Sequence, residues 1–222
     1  MKKIVGIISR PGLDISVGIQ KVKNIIKDRV LELGLIPLSI MPTTTTNYLE
    51  NSYHYQGKSN LNIEDFNQLL DLCDGFILQG GTYGYDYEIE VIKHAHRNNK
   101  PILGICMGMQ NMGVYLGGNI DYINGIEHKS EKEYVHDIDI KEDSQLYSIT
   151  NELKIKVNSR HIEKVVDIDE KYIVARHDDI IEAVEDKSRK FFIGVQWHPE
   201  DLKDEASLKI FKSFCKKVKE NL

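Results

Sequence analysis

The segment Pro101-Ile-Leu-Gly-Ile-Cys106-Met-Gly108-Met-Gln110 joins an apolar run to a glycine-bearing amphipathic stretch through one cysteine, and few architectures accept that arrangement. Residues 102–105 read as a buried parallel strand and residues 107–116 as a helix. Gly104 and Gly108 supply the small side chains that a sharp strand-to-helix turn requires. Cys106 then falls at the turn itself, where the positive end of a helix dipole favours the thiolate. A lone cysteine in an apolar run is ordinarily a buried, inert one. A second cluster far downstream argues otherwise. In Ile193-Gly-Val-Gln-Trp-His198-Pro199-Glu200 a strand stops at proline and leaves a histidine and a carboxylate at its end, which is where α/β sheets keep their chemistry. A thiol needs a base and the base needs a group that fixes its tautomer, so Cys106, His198 and Glu200 form a complete nucleophilic set.

The first half of the chain alternates apolar strands with amphipathic helices, the pattern of an α/β protein with a doubly wound, mostly parallel sheet flanked by helices. The expected elements are a strand over residues 3–9, a helix over 15–33 closed by Gly34 and a strand over 35–40. A helix over 62–72, a strand ending at Gly80 and a helix from about 87 to 97 follow. Residues 41–60 read as a long polar loop with four consecutive threonines and Tyr48, Tyr53 and Tyr55; loops of that length are uncommon unless functional or mobile. After Gly118 the texture changes to short, partly alternating strands over 134–140, 153–157, 172–176 and 180–185. A terminal helix over 204–222 closes the fold. No internal repeat or low-complexity linker interrupts the chain, so residues 1–222 are expected to form one domain.

Gly-Ile-Cys-x-Gly-x-Gln, followed near the C-terminus by Gly-Val-Gln-Trp-His-Pro-Glu, resembles the class I glutamine amidotransferases, and most closely their γ-glutamyl hydrolase (peptidase C26) branch, which includes γ-glutamyl-γ-aminobutyrate hydrolase. The resemblance implies a flavodoxin-like sheet with a small β-rich flap. It also implies hydrolysis of a γ-glutamyl amide through a cysteine thioester, with Cys106 as nucleophile, His198 as general base and then acid, and Glu200 orienting His198. Gly75-Phe-Ile-Leu-Gln-Gly80-Gly81-Thr82 matches the family segment whose second glycine gives an amide to the oxyanion hole, implying Gly81 and Met107 as the two donors. Gln110 matches the glutamine that positions the γ-glutamyl group. Val157-Asn158-Ser159-Arg160-His161-Ile162-Glu163 resembles the branch's Val-Asn-Ser-x-His-His-Gln loop and adds Ser159 and His161 as substrate-binding residues. The chain departs from the branch at Met107, where Arg is usual, at Ile162 and Glu163, and in the short segment after Thr82. These departures leave the nucleophilic set intact and bear on the substrate.

The resemblance leaves two further readings open: a glutaminase subunit that passes ammonia to a synthetase partner, and a non-catalytic binding or regulatory protein on the same fold. The partner expected on the first reading is a small-molecule γ-glutamyl compound, with a homo-oligomer left open. A formal charge of −5 argues against nucleic acid or an anionic membrane as the main partner. The apolar run after Met1-Lys-Lys ends at Ser9-Arg10-Pro11, too soon for a signal peptide or a membrane span. Three widely spaced cysteines, Cys73, Cys106 and Cys215, fit no disulfide framework, and a cytoplasmic location is expected. Cys73 and Cys215 are expected on helices as packing residues. Eight histidines raise the question of a metal. His94 and His96 stand two apart on a helix and do not face one another, while His128 and His136 show no recognisable ligand spacing. Neither a metal nor another cofactor is expected.

Overall fold

The computed structural model describes residues 1–12, 19–43, 61–123 and 128–220. Its elements begin with β1 (Ile4–Ile8), β2 (Arg10–Pro11), β3 (Gln20–Lys21), α1 (Asn24–Glu32), β4 (Ile36–Ile40), α2 (Ile63–Asp71), β5 (Gly75–Leu78) and α3 (Asp86–Arg97). They continue with β6 (Ile102–Ile105), α4 (Met107–Tyr115), β7 (Asn119–Tyr122), β8 (His136–Ile140), α5 (Gln145–Thr150) and β9 (Lys154–Val157). β10 (Glu163–Val166), β11 (Ile173–His177), β12 (Ile180–Glu185), β13 (Phe192–Val195) and α6 (Glu205–Lys219) complete them.

The main sheet runs β4-β1-β5-β6-β13-β12-β11-β8-β9. Its first five strands are mutually parallel, and in chain order they follow the doubly wound flavodoxin sequence, which places ligands outside the carboxyl ends of the strands. From β13 onward the pairing turns antiparallel. The parallel strands are covered on both faces, which is why they read as unbroken apolar runs. Val5, Ile7, Ile77, Leu103, Ile193 and Val195 enter one core with α1 and α6, whereas Ile8, Phe76, Leu78, Ile102 and Phe192 enter the other with α2, α3 and α4. β9, at one edge, instead alternates outward Lys154 and Lys156 with inward Ile155 and Val157, a charge pattern that discourages edge-to-edge pairing.

Helix ends follow local chemistry. Asn62 caps α2 by accepting the Glu64 and Asp65 amides, Asp204 caps α6 by accepting from Ser207, and Lys216, Lys217 and Lys219 sit in the last turn of α6, where the dipole favours cations. α4 is different. Met107 through Gly113 are all buried, the polar Gln110 and Asn111 among them, so this stretch is enclosed on every side rather than along one stripe. It lies so close to the sheet that a Cβ on Gly108 would collide with the Leu78 carbonyl oxygen and stand 2.7 Å from Leu78 Cβ.

Three features differ from the sequence reading. The helix expected over 15–33 begins only at Asn24; residues 13–18 lie outside the described residues, and Gln20 and Lys21 pair antiparallel with Pro11 and Arg10. The Gln79 side chain explains this, because it donates to the Lys21 carbonyl at 3.0 Å and accepts the Lys23 amide at 3.0 Å, holding that backbone out of the helix. Cys73 lies beyond the end of α2, while Cys215 is within α6, and both are buried. A two-stranded ribbon, β7 with β10, and the short helix α5 were not anticipated. Of the long loop expected over 41–60, residues 44–60 lie outside the described residues.

Alanine raises helix propensity wherever it replaces glycine in a helix interior, yet Gly108→Ala is expected to destabilise the protein by about 1–3 kcal/mol, since overpacking against backbone cannot be relieved by a side-chain rotation. A urea midpoint equal to or above that of the wild type would contradict the close approach.

Candidate active site

The carboxyl ends of β5, β6 and β13 converge on one sulfur. Cys106 directly follows β6 with φ 52° and ψ −109°, a left-handed backbone that costs a non-glycine residue of order 1–3 kcal/mol. The strain is held by two backbone hydrogen bonds. The Cys106 amide donates to Val195 O on β13 at 2.8 Å, and the Cys106 carbonyl accepts from the Gln110 amide at 3.0 Å. The turn therefore points the thiol away from the sheet and sets it at the first turn of α4.

His198 follows β13, where Pro199 opens a single 3₁₀ turn over Pro199–Asp201. Glu200 is fully buried, and its Oε1 lies 2.8 Å from His198 Nδ1, which fixes the imidazole with Nε2 toward Cys106. Asn158 clamps the histidine backbone from both sides: its Nδ2 donates to His198 O at 2.9 Å and its Oδ1 accepts the His198 amide at 2.8 Å. Lys23 Nζ completes the row, 3.2 Å from Glu200 Oε1 and 3.5 Å from His198 Nδ1. Burial alone would raise the Cys106 thiol, but the facing His198 charge and its hydrogen bond to the sulfur reverse that and lower it below the usual thiol value. Burial opposes the His198 charge in the same way. The Cys106 thiolate and the Glu200 hydrogen bond prevail and raise the imidazole to about 10. The two titrate as a pair, and the thiolate–imidazolium form is favoured.

Gly80 and Gly81 follow β5. A Cβ on Gly80 would stand 2.6 Å from His198 Cε1 and 3.3 Å from Cys106 Cβ, so only glycine lets the cysteine–histidine pair close against the end of β5. Met107 is the first residue of α4, and its amide is one of the helical N–H groups without an intrahelical acceptor. Arg10 packs beside Gly81, held by Gln79 O at 2.8 Å and by buried Glu88 at 3.3 Å.

Cys106, together with Gly81, Thr82, Tyr83 and Arg160, lies on the wall between two cavities of ≈ 360 Å³ each. Gln110, Met107 and His161 line the first; His198, Lys23 and Arg10 line the second. Gln110 Nε2 donates to Glu163 O at 3.0 Å and to Gln196 Oε1 at 3.2 Å, and its own Oε1 has no hydrogen-bond partner. His161 Nδ1 lies 2.9 Å from Glu163 O. Ser159 lies differently from the sequence expectation: it is fully buried, lines neither cavity, and its hydroxyl donates to His128 O at 2.7 Å. Thus Cys106, His198, Glu200, Gly81, Met107, Gln110 and His161 come together, and Ser159 stands behind them.

Four residues escaped the sequence reading. Lys23, Asn158, Gln79 and Arg10 each act on the site through a partner distant in sequence, and a single lysine or asparagine carries no local mark of such a contact. Only Asn158 and Gln79 had a signal, since they sit within the Val-Asn-Ser and Gly75–Thr82 segments already singled out.

This sheet order, with a buried Cys–His–Glu row at its carboxyl ends, defines a class I glutamine amidotransferase-type domain. The peptidase C26 family model matches residues 85–200. A glutamine amidotransferase-like protein of Rickettsia prowazekii is 29% identical over 227 residues, covering 70% of this chain and 81% of its own. A glutamine-hydrolysing GMP synthase chain of Picrophilus torridus is 31% identical over 164 residues, covering 71% and 83%. In three dimensions a GMP synthase chain of Thermoplasma acidophilum superposes with a TM-score of 0.69 at 17% identity, over 99% of this chain and 96% of that one. The chain belongs to the peptidase C26 family of class I glutamine amidotransferase-like proteins.

Burial pushes the Cys73 and Cys215 thiols up to about 12, whereas Cys106 is lowered. At pH 7, iodoacetamide is therefore expected to modify Cys106 alone in the native protein. A thiolate is lost as pH falls through its pKa, so the labelling rate should stay high from pH 8 to 7 and decline only at more acidic pH, as read by peptide mass spectrometry. Equal labelling of the three cysteines, or a rate that falls through pH 9, would contradict the assignment.

Proposed function

We propose that the protein hydrolyses a γ-glutamyl amide through a Cys106 thioester, releasing glutamate and an amine. The observation that carries this reading is the position of the sulfur between two cavities, one lined by Gln110 and the other by His198. The γ-glutamyl half occupies the first cavity and the amine half the second. The Cys106 thiolate attacks the γ-carbonyl, and the tetrahedral oxyanion is held by the Gly81 and Met107 amides, each such donor contributing about 3–4 kcal/mol. The C–N bond then breaks as His198 gives its proton to the departing amine in the second cavity. Water next attacks the thioester, His198 takes its proton, and glutamate leaves with the thiolate restored. Glu200 keeps His198 in the required tautomer and stabilises its charge, with Lys23 closing the row of alternating charges. The chemistry draws on side chains and amides alone.

A second reading rests on the likeness to the glutamine-hydrolysing GMP synthase chain of Picrophilus torridus: glutamine as the substrate and a synthetase as the acceptor of ammonia. No helix among the described residues is long and apolar enough to cross a membrane. The three free cysteines fit a reducing compartment, and we place the protein in the cytoplasm.

Incubating the pure chain with a panel of γ-glutamyl amines, glutamine included, is expected to release glutamate from at least one of them, as measured by mass spectrometry. Cys106→Ala should lower kcat by on the order of 10⁴-fold or more. Turnover of no γ-glutamyl compound by the chain alone, with glutaminase activity appearing on addition of a synthetase, would favour the second reading.

The pH profile follows from the two shifted groups. Activity requires the thiolate and the imidazolium together, so kcat/KM should fall on the acid side through the lowered Cys106 pKa and on the alkaline side only as pH rises through the His198 value of about 10. A profile that instead climbs through pH 9 would show an ordinary thiol.

A further inference from the structure

Four histidines that share no ligand spacing in the sequence meet around one carboxylate. Glu182, within β12, is fully buried. Its Oε1 lies 3.3 Å from His136 Nε2, 3.6 Å from His161 Nε2 and 4.0 Å from His128 Nδ1. His177 stacks on His136 with ring centroids 4.0 Å apart and planes within 9°. Among the described residues, both oxygens of Glu182 and the Nε2 atoms of His136 and His161 make no well-aligned hydrogen bond, their 3.3 and 3.6 Å approaches being charge contacts. Leaving buried polar groups unsatisfied costs about 1–3 kcal/mol each and more for a charged one, so a cluster of this kind calls for something at its centre.

The outer contacts indicate what that is. His161 Nδ1 donates to the Glu163 carbonyl at 2.9 Å, which turns Nε2 toward the Glu182 carboxylate, 3.6 Å away. His177 Nδ1 faces the Asp137 carbonyl at 2.8 Å in the same manner. Ring nitrogens fixed by backbone carbonyls, with the opposite nitrogen turned inward, are the arrangement that orients histidine toward a metal. A carboxylate buried among imidazole nitrogens needs positive charge beside it, which a metal ion supplies in place of the imidazole proton.

We propose that His128, His161 and Glu182, all buried and with ligand atoms within 4.8 Å of one another, form a binding site for one zinc-class divalent cation, the fourth position being taken by water. Two ligands bound tetrahedrally at 2.0–2.2 Å stand about 3.3–3.6 Å apart, the spacing that His161 already has from Glu182 at 3.6 Å, and His128 at 4.0 Å reaches it with a shift well under ~1 Å. A set of imidazole nitrogens with a single carboxylate suits zinc rather than magnesium or calcium, which take oxygen donors. The ligands come from β12, the segment between β9 and β10, and the loop ahead of β8, so the site pins the antiparallel half of the sheet to the wall of the Gln110 cavity, which His161 also lines; His128, His136 and His177 also stand close together, but without a carboxylate. His198, Glu200 and Asp201 also cluster closely enough to be considered, but His198 Nδ1 and Glu200 Oε1 already satisfy each other.

The test uses the full chain, free of any polyhistidine tag, carrying Cys106→Ala so that no thiolate competes. After removal of metal with a chelator, zinc is titrated against a chromophoric competitor and thermal melting is followed in parallel. The expected result is one equivalent of saturable binding that raises Tm. Replacement by cobalt should give visible absorption of tetrahedral intensity without thiolate charge transfer. Glu182→Gln and His161→Ala, each checked for folding by circular dichroism, should each weaken binding by at least ~10-fold, while His198→Ala leaves it in place. Absence of saturable binding in the folded Cys106→Ala protein overturns the proposal and assigns a proton to the cluster; binding that survives Glu182→Gln and His161→Ala but is lost with His198→Ala overturns it equally, by placing the ion at the other cluster.

Discussion

The contact of Gly108 with the Leu78 carbonyl determines where the rest of the site can lie. With no side chain between them, α4 settles directly on β5 and β6, and Gly104 and Gly194 repeat the approach beneath Met112 and Met109. The N-terminal end of the helix is thereby brought to the level of the strand ends. β6 must then pass into α4 without room for a loop, which forces Cys106 into its left-handed conformation. Holding that residue costs of order 1–3 kcal/mol, a cost borne by a sheet buried on both faces. The same closeness explains Gly80, where any side chain would displace the His198 ring.

Electrostatics then acts on groups that packing has already placed. Lys23, Glu200, His198 and Cys106 stand in a row of alternating charge, with Glu200 shared between the imidazole and the lysine. In a site this buried, each charge is tolerable only because its neighbour is opposite. The thiolate is lowered by the imidazolium, the imidazolium is raised by thiolate and carboxylate, and the carboxylate is held below its usual range by His198 and Lys23 despite its burial. Removing any member strands the next, so the row behaves as one unit rather than as separable contributions.

Much of this frame was legible in the sequence because it depends on short-range pattern. The run ending at Ile105, the glycines around Cys106 and the proline after His198 are local signals, and the strand and helix they indicate lie at Ile102–Ile105 and Met107–Tyr115. What stayed hidden depends on contacts between distant segments. Gln79 reaches across to Lys21 and Lys23 and so overrides helix periodicity in a stretch that otherwise reads as one long helix. The ribbon of β7 and β10 pairs Ile120 with Val165, short segments whose individual propensity is weak. The histidines around Glu182 lie on separate strands and loops, and no spacing rule written for a single helix or hairpin would connect them.

The positions at which this chain departs from its resemblance to the γ-glutamyl hydrolases have a common address. Met107, Ile162 and Glu163 all line the cavity that holds Gln110, while of the matching residues Cys106 lies between the two cavities, His198 lines only the second, and Glu200 is buried behind it. Substitution at the cavity lining changes which compound fits without moving the charges of the row, because the row is held by Asn158, Lys23 and the sheet itself rather than by the lining. Exchanging the usual arginine for Met107 removes a cation at the mouth, and Ile162 adds an exposed apolar side chain beside it. On the proposed reading, with the nucleophile anchored in the sheet and selectivity carried by the ribbon and loops, the second can change while the first stays intact.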